Sequence, residues 1–311
     1  MYKEHRIAIV IPAHNEERHI GPVVGTLPEF VDNIIVVDDC SRDDTSGAAA
    51  AAGDARLTVL KTPTNQGVGG ATIMGYRKAL EAGSDIAVKM DGDGQMSPDH
   101  LPLLLDALIE GDYAYAKGNR FLAGKSLAFM PKARLFGNVV LTFMNKLASG
   151  YWHIFDPQNG YTAIKTDVLR ALDLDAIHRK FFFENDMLSQ LNYQNARVKD
   201  VAIPAHYGEE ESDLSPFKIS LTFPMLLLRR FFRRLYQKYV LRDFSPIALF
   251  LLLGFLLFAW GLLFGIYIWI KSLLTGNPTP TGTIMLALLP LILGFQLLLQ
   301  AIVLDIQETP K

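Results

Sequence analysis

The chain has 311 residues, half of them hydrophobic and only 20% charged, with a formal net charge of −2. Through Pro216 there are 21 Lys and Arg against 29 Asp and Glu, a net of −8, which argues against nucleic acid as a partner. The apolar excess lies almost entirely after Phe217. The expected organisation is therefore a globular domain over 1–216, a basic amphipathic juxtamembrane segment over 217–244 and a two-helix transmembrane domain over 245–311. Cys40 is the sole cysteine, so neither an intrachain disulfide nor a cysteine zinc site can form, which suits a reducing compartment. Residues 1–6 are charged and 7–11 form too short an apolar run for a signal peptide.

Residues 7–11 read as a short buried strand, followed by Pro12-Ala13-His14-Asn15-Glu16-Glu17 and an amphipathic helix over about 18–27. A second strand over 34–37 ends in Asp38-Asp39-Cys40-Ser41. Ser41, with Asp44 three residues on, predicts a capped helix start before the alanine run 48–52. For Asp43, turn and capping chemistry is the favoured role. A third strand over 57–60 leads to Asn65-Gln66-Gly67-Val68-Gly69-Gly70 and a helix to Ala82. A fourth, 85–90, ends in Asp91-Gly92-Asp93-Gly94-Gln95, and Pro98 opens the next helix. Strands alternating with helices at this spacing predict an α/β fold, a mostly parallel sheet with helices on both faces. Ligands bind such sheets beyond the carboxyl ends of the strands, where all these polar loops converge.

Two carboxylates and an amide oxygen within five residues suit a hard divalent cation, Mg2+ or Mn2+, although Asp-Gly repeated is also an ordinary turn. Two nucleotide-binding patterns fail. Thr72 stands where a third dinucleotide-fingerprint glycine belongs, and five residues rather than four separate Gly118 from Gly124 in the apparent P-loop ending Gly124-Lys125-Ser126.

Taken in order, the loops 12–16, 36–41, 65–69 and 91–98 resemble those of the family 2 glycosyltransferases of GT-A fold. The likeness is to the dolichol-phosphate mannose synthase and polyprenyl-phosphate glycosyltransferase branch, and it covers about 7–203. It implies a nucleotide pocket at Pro12, Ala13, Asn15, Glu16, Asp39 and Asp91, a metal at Asp91, Asp93 and Gln95, and an acceptor phosphate gripped by Arg120 and Arg134. The catalytic set would be Asp93, Arg120, Arg134 and Asp186. Arginine suits that grip because its planar fork engages phosphate oxygens in pairs, and Asn138 lies one helical turn beyond Arg134. A phosphate acceptor is mostly dianionic at neutral pH, so a strong general base is optional. Asp156 matches the family's Asp-x-x-x-Gly-aromatic element and Glu184-Asn185-Asp186 lies near its acidic acceptor-side element, with sugar or acceptor contact and the orienting of Arg120 or Arg134 as equal alternatives; Asp186 has the further alternative of base assistance. Where the family often has an arginine after the strand ending at Pro204, this chain has Ala205-His206-Tyr207.

From Pro224 onward, Leu228, Phe231, Phe232, Leu235 and Tyr239 predict one apolar helical face. Arg229, Arg230, Arg233, Arg234 and Lys238 predict a basic face toward anionic head groups. The segments 246–270 and 284–306 are each long enough to span a bilayer. The linker between them carries one basic residue, Lys271, which places the basic belt and the catalytic domain on the cytoplasmic side. Gly261 and Gly265 predict close helix approach, for pairing of the spans within the chain or for homo-oligomers in the membrane, and Gln296 and Gln300 share one face. The implied reaction is inverting transfer of a hexose from GDP-mannose or UDP-glucose to a polyprenyl or dolichyl phosphate. The rival readings are a processive polysaccharide synthase and a non-catalytic membrane scaffold. Trp152, Trp260 and Trp269 all lack the preceding arginine of the synthase Gln-x-x-Arg-Trp element.

Overall fold

A computed structural model describes residues 1–122, 132–204, 216–242 and 245–310, with the side chains of 132–138 and 216–221 outside the description. The chain divides into two compact units, Met1–Arg230 with Pro310–Lys311, and Phe231–Thr309.

The first unit is built on seven strands among the described residues. These are β1 (Ile7–Ala13), β2 (Asn33–Asp38), β3 (Leu57–Lys61), β4 (Ile86–Lys89), β5 (Tyr115–Asn119), β6 (Thr162–Lys165) and β7 (Val198–Ala202), in the order β3-β2-β1-β4-β6-β5-β7. β1 is buried along its whole length, which explains its unbroken apolar reading: a strand covered on both faces needs no polar alternation. Ile7, Ile9, Ile11 and Ala13 join one core with α1 (Ile20–Gly25), α2 (Thr45–Ala51) and α4 (Leu101–Ile109). Ala8 and Val10 join a second core with α3 (Val68–Glu81), α6 (Thr166–Ala171) and α7 (Phe183–Tyr193). α5 (Lys132–Ser149) follows β5 in the chain.

The sheet is mixed. β6 runs antiparallel to both β4 and β5, whereas β5 pairs in parallel with β7. This insertion carries the loop before β6 to the same sheet edge as the acidic loop after β4. β5 runs to Asn119, so Arg120 leaves the strand tip directly. At α2 the cap is Asp44, whose side chain accepts from the Gly47 amide at 3.1 Å, and not Ser41. Ser41 Oγ instead accepts from the Asn15 amide at 2.9 Å, while Asp43 does turn work, accepting from Thr45 and from the Glu17 amide.

The basic helix, α8 (Pro216–Leu235), departs from the expected division into two faces. Phe223, Leu227 and Arg234 are buried, and Met225, Leu228 and Phe232 are exposed. Within the first unit, Arg230 points inward to Asp186 at 2.5 Å. Within the second, the fully buried Arg234 grips Asp305 through two bonds of 2.6 and 2.9 Å. A π-helical turn, Tyr236–Arg242, brings the Tyr239 hydroxyl to Asp305 as well, at 2.5 Å. Tyr239 is thus buried rather than part of an outward apolar face. Arg230 and Arg234 do not belong to the head-group face, because each has a carboxylate to neutralise in the interior.

Two helices follow that are long and apolar enough to cross a membrane, α9 (Pro246–Thr275) and α10 (Thr281–Gln307). They pair antiparallel through small residues seven apart. A Cβ on Gly261 would lie 2.6 Å from the Ala287 carbonyl, and one on Gly294 would lie 2.3 Å from the Phe258 amide. A Cβ on Gly265 meets only the Ala287 Cβ, at 3.7 Å, so Gly254 rather than Gly265 is the working partner of Gly261. Gln296 and Gln300 are exposed. Asp305→Ala takes both carboxylate oxygens from a buried guanidinium, an expected loss of about 3–5 kcal/mol. Thermal unfolding in detergent checks this, and the double variant Asp305→Ala/Arg234→Met recovers most of the loss.

Candidate active site

The acidic loop leaves β4 at Lys89, whose side chain is only 1% exposed. Lys89 Nζ donates to Asp91 Oδ1 at 2.6 Å and to the Gly160 carbonyl at 3.4 Å, and lies 3.2 Å from Glu184 Oε1 in the first turn of α7. Burial opposes its charge, but Asp91 and Glu184 outweigh that and hold its pKa above the ordinary lysine value. Burial pushes Glu184 up, only partly offset by Lys89. Asp93 Oδ1 accepts from the Gln95 amide at 2.9 Å, which closes the turn, and Gly94 supplies the positive φ of 75°.

Asp91, Asp93 and Gln95 line one cavity of about 170 Å³ with Arg120, Gln158, Asn159, Gly160 and Tyr161. Arg120 and Gln158 also line an adjoining cavity of about 80 Å³, with Phe121, Leu141, Phe155, Phe223 and Leu227 on its walls. Arg120 is held for this double position. Its Nε and Nη2 donate to the two oxygens of Asp156 at 2.8 and 2.9 Å, and its backbone amide donates to Asp156 Oδ2 at 3.2 Å. Burial alone would raise the Asp156 pKa, but Arg120 holds it below the usual carboxylate range. The Asp156 loop is itself fixed by the buried Lys117, which donates to the Asp156 carbonyl and lies 3.4 Å from Asp200. Of the alternatives for Asp156, the geometry favours orienting an arginine.

The expected nucleotide residues lie on two interlocked loops. The Arg42 amide donates to Asn15 Oδ1 at 2.9 Å and the Glu16 amide donates to Thr45 Oγ1 at 2.9 Å; Asn15 takes a positive φ of 61° to allow this. Pro12 and Ala13 are buried in register with Val37 and Asp38. A Cβ on Gly92 would lie 3.4 Å from that of Ala13, so the acidic loop rests on the β1 end. Asp39 is 3% exposed and accepts from Thr62 Oγ1 and the Gln66 amide, both at 2.8 Å, and from the Gly67 amide at 2.7 Å. Its carboxylate locks the 65–67 loop. Burial would raise the pKa of neighbouring Asp38, but Ser41, Ser46 and Lys61 bring it down to about 2.

Asp186 is fully buried, accepting from the His178 amide at 2.7 Å and from Arg230. It therefore sits in the first turn of α7 in an ion pair and is absent from the walls of both cavities. The side chains of Arg134 and Asn138, as well as His206 and the acidic run 209–211, lie outside the described residues. Sequence reasoning missed Lys89, for which a lysine ending an otherwise apolar strand was the available signal, and it did not connect Glu184 with that lysine.

Among the described residues no group of three His, Cys, Asp or Glu is placed to hold a metal. Two carboxylates and one amide on a shared wall nevertheless fit a divalent cation that takes its remaining ligands from a diphosphate and water. Gly160 is part of that wall. A Cβ there would lie 2.6 Å from both Asp91 Oδ2 and Lys89 Nζ. Gly160→Ala is expected to lower kcat/KM by about 10–100-fold, because the added Cβ pushes Asp91 and Lys89 aside and a misplacement of about 1 Å can cost about 10²-fold; steady-state kinetics with the folded variant checks it.

With this mixed α/β sheet and its acidic loop, the chain belongs to glycosyl transferase family 2, whose pattern matches residues 8–173. Its relatives point further, to transferases acting on polyprenyl phosphates. The undecaprenyl-phosphate mannosyltransferase of Micrococcus luteus is 35% identical over 66% of this chain and 85% of its own length. The UDP-N-acetylglucosamine–dolichyl-phosphate N-acetylglucosaminyltransferase of Methanococcus voltae is 32% identical over 65% of this chain and 86% of its own. Glucosyl-3-phosphoglycerate synthase from Mycobacterium tuberculosis, solved with Mn2+, UDP-glucose and phosphoglyceric acid, shares the fold. Its TM-score is 0.53 at 21% identity, over 74% of this chain and 80% of that one.

Proposed function

We propose that this chain transfers a hexose from a nucleotide-diphosphate sugar to a polyprenyl or dolichyl phosphate at the cytoplasmic membrane face. The observation that carries the reading is Arg120, held by Asp156 between an acidic-walled cavity and an apolar-walled one. The donor diphosphate lies at Asp91, Asp93 and Gln95, and the acceptor phosphate at Arg120, with Arg134 as its second arginine. A phosphate oxygen attacks the anomeric carbon, forming the new C–O bond as the bond to the nucleotide diphosphate breaks, with inversion to a β-linked product. Asp91, Asp93 and Gln95 would hold a Mg2+ or Mn2+ ion, which would supply positive charge to the departing diphosphate. No proton need be removed from a dianionic phosphate, so Asp186 serves by holding Arg230 rather than as a base. The exposed basic and apolar side chains of α8 meet anionic lipid, and the helix pair anchors the chain.

The test is the purified full chain with polyprenyl phosphate and radiolabelled GDP-mannose, UDP-glucose and UDP-N-acetylglucosamine, with and without Mn2+. One donor is expected to label the lipid, and only with the ion present. Lipid left unlabelled by every donor overturns the proposal.

A further inference from the structure

Lys89 has the geometry of a built device rather than of a strand-end residue that happens to be charged. Its ammonium is inside the protein, shared between Asp91 and Glu184, and the Gly160 position admits no side chain because the Lys89–Asp91 contact fills that space. Asp91 therefore already carries a cation on Oδ1, while its Oδ2 lies toward Gly160, which lines the cavity. Glu184, fixed in α7, is the alternative seat for the same ammonium.

We propose that Lys89 is a positioning residue that acts as a resident counter-cation, setting how tightly the Asp91–Asp93 site takes a divalent ion. With no ion bound, the ammonium holds Asp91 in place through the 2.6 Å contact to Oδ1. When an ion arrives, the two cations repel, and Glu184 stabilises the lysine as Asp91 turns to the ion. The ion is then held weakly by the protein alone and firmly only when a diphosphate adds its own oxygens. This rests on the metal reading above.

The measurement is the dissociation constant of Mn2+ alone on the full chain in detergent micelles, from the electron paramagnetic resonance signal of the free ion. Removing the charge with Lys89→Met is expected to tighten Mn2+ by about tenfold, since a unit charge beside the site is lost. Glu184→Gln is expected to weaken it by about threefold or more, because the lysine then rests wholly on Asp91. Opposite signs from two buried neighbours are not what general loosening of the site produces. Unchanged or weaker binding in Lys89→Met overturns the proposal. Should that variant fail to fold, unchanged or tighter binding in Glu184→Gln does so. Asp93→Ala serves as the control: Mn2+ affinity equal to wild type there means that the metal reading, not the role of Lys89, has failed.

Discussion

Asp93→Ala is expected to abolish measurable transfer, lowering kcat by about 10³-fold, the upper scale for losing one group that stabilises developing charge. The expectation follows from where the charges lie. Asp91 shares its carboxylate with Lys89, whereas Asp93 sits one glycine further along the turn, on the cavity wall. The turn makes a second, discriminating comparison available. Asp93 Oδ1 also accepts from the Gln95 amide, which Asn can do and Ala cannot. Asp93→Asn therefore keeps the loop and loses the charge. Both variants losing transfer with unchanged thermal midpoints assigns the loss to charge; activity retained in Asp93→Ala would remove Asp93 from the catalytic set.

Arg120→Ala is expected to cost about 10²–10³-fold in kcat/KM, read by varying polyprenyl phosphate at saturating donor, because a bidentate contact to a doubly charged phosphate is lost. The variant also frees Asp156, a carboxylate 3% exposed, to repel the acceptor. The second effect is separable. In Arg120→Ala/Asp156→Asn the unpaired charge is gone, so part of the acceptor affinity returns while the orienting fork does not. Arg120→Lys restores the charge without the fork and is expected to fall between the two. Equal acceptor dependence in wild type and Arg120→Ala would place the lipid phosphate elsewhere.

The parts of the site legible in the sequence were those written in short-range chemistry. A strand buried on both faces is read from an unbroken apolar run, so residues 7–11, 34–37 and 86–88 announced themselves, and the polar loops after them had to be strand ends. Asp91-Gly92-Asp93-Gly94 was readable because glycine spacing and carboxylate spacing lie within one loop. The two apolar helices followed from length and hydropathy alone.

What only the tertiary structure decided was which charge meets which. Lys89 and Glu184 are 95 positions apart, Arg120 and Asp156 are 36 apart, and Arg234 and Asp305 are 71 apart. No local periodicity encodes such pairs, because burial of a charge becomes tolerable only when chain topology delivers its partner. For the same reason a helical wheel placed Arg230 and Arg234 in the head-group layer, although the fold provides Asp186 and Asp305 to draw both inward. Topology likewise inserted β6 antiparallel between β4 and β5, and that strand brings the Asp156–Gly160 loop, and with it the Arg120 fork, to the acidic turn. The residues of the chemistry were set by the sequence; their partnerships, and so their charges and directions, were set by the fold.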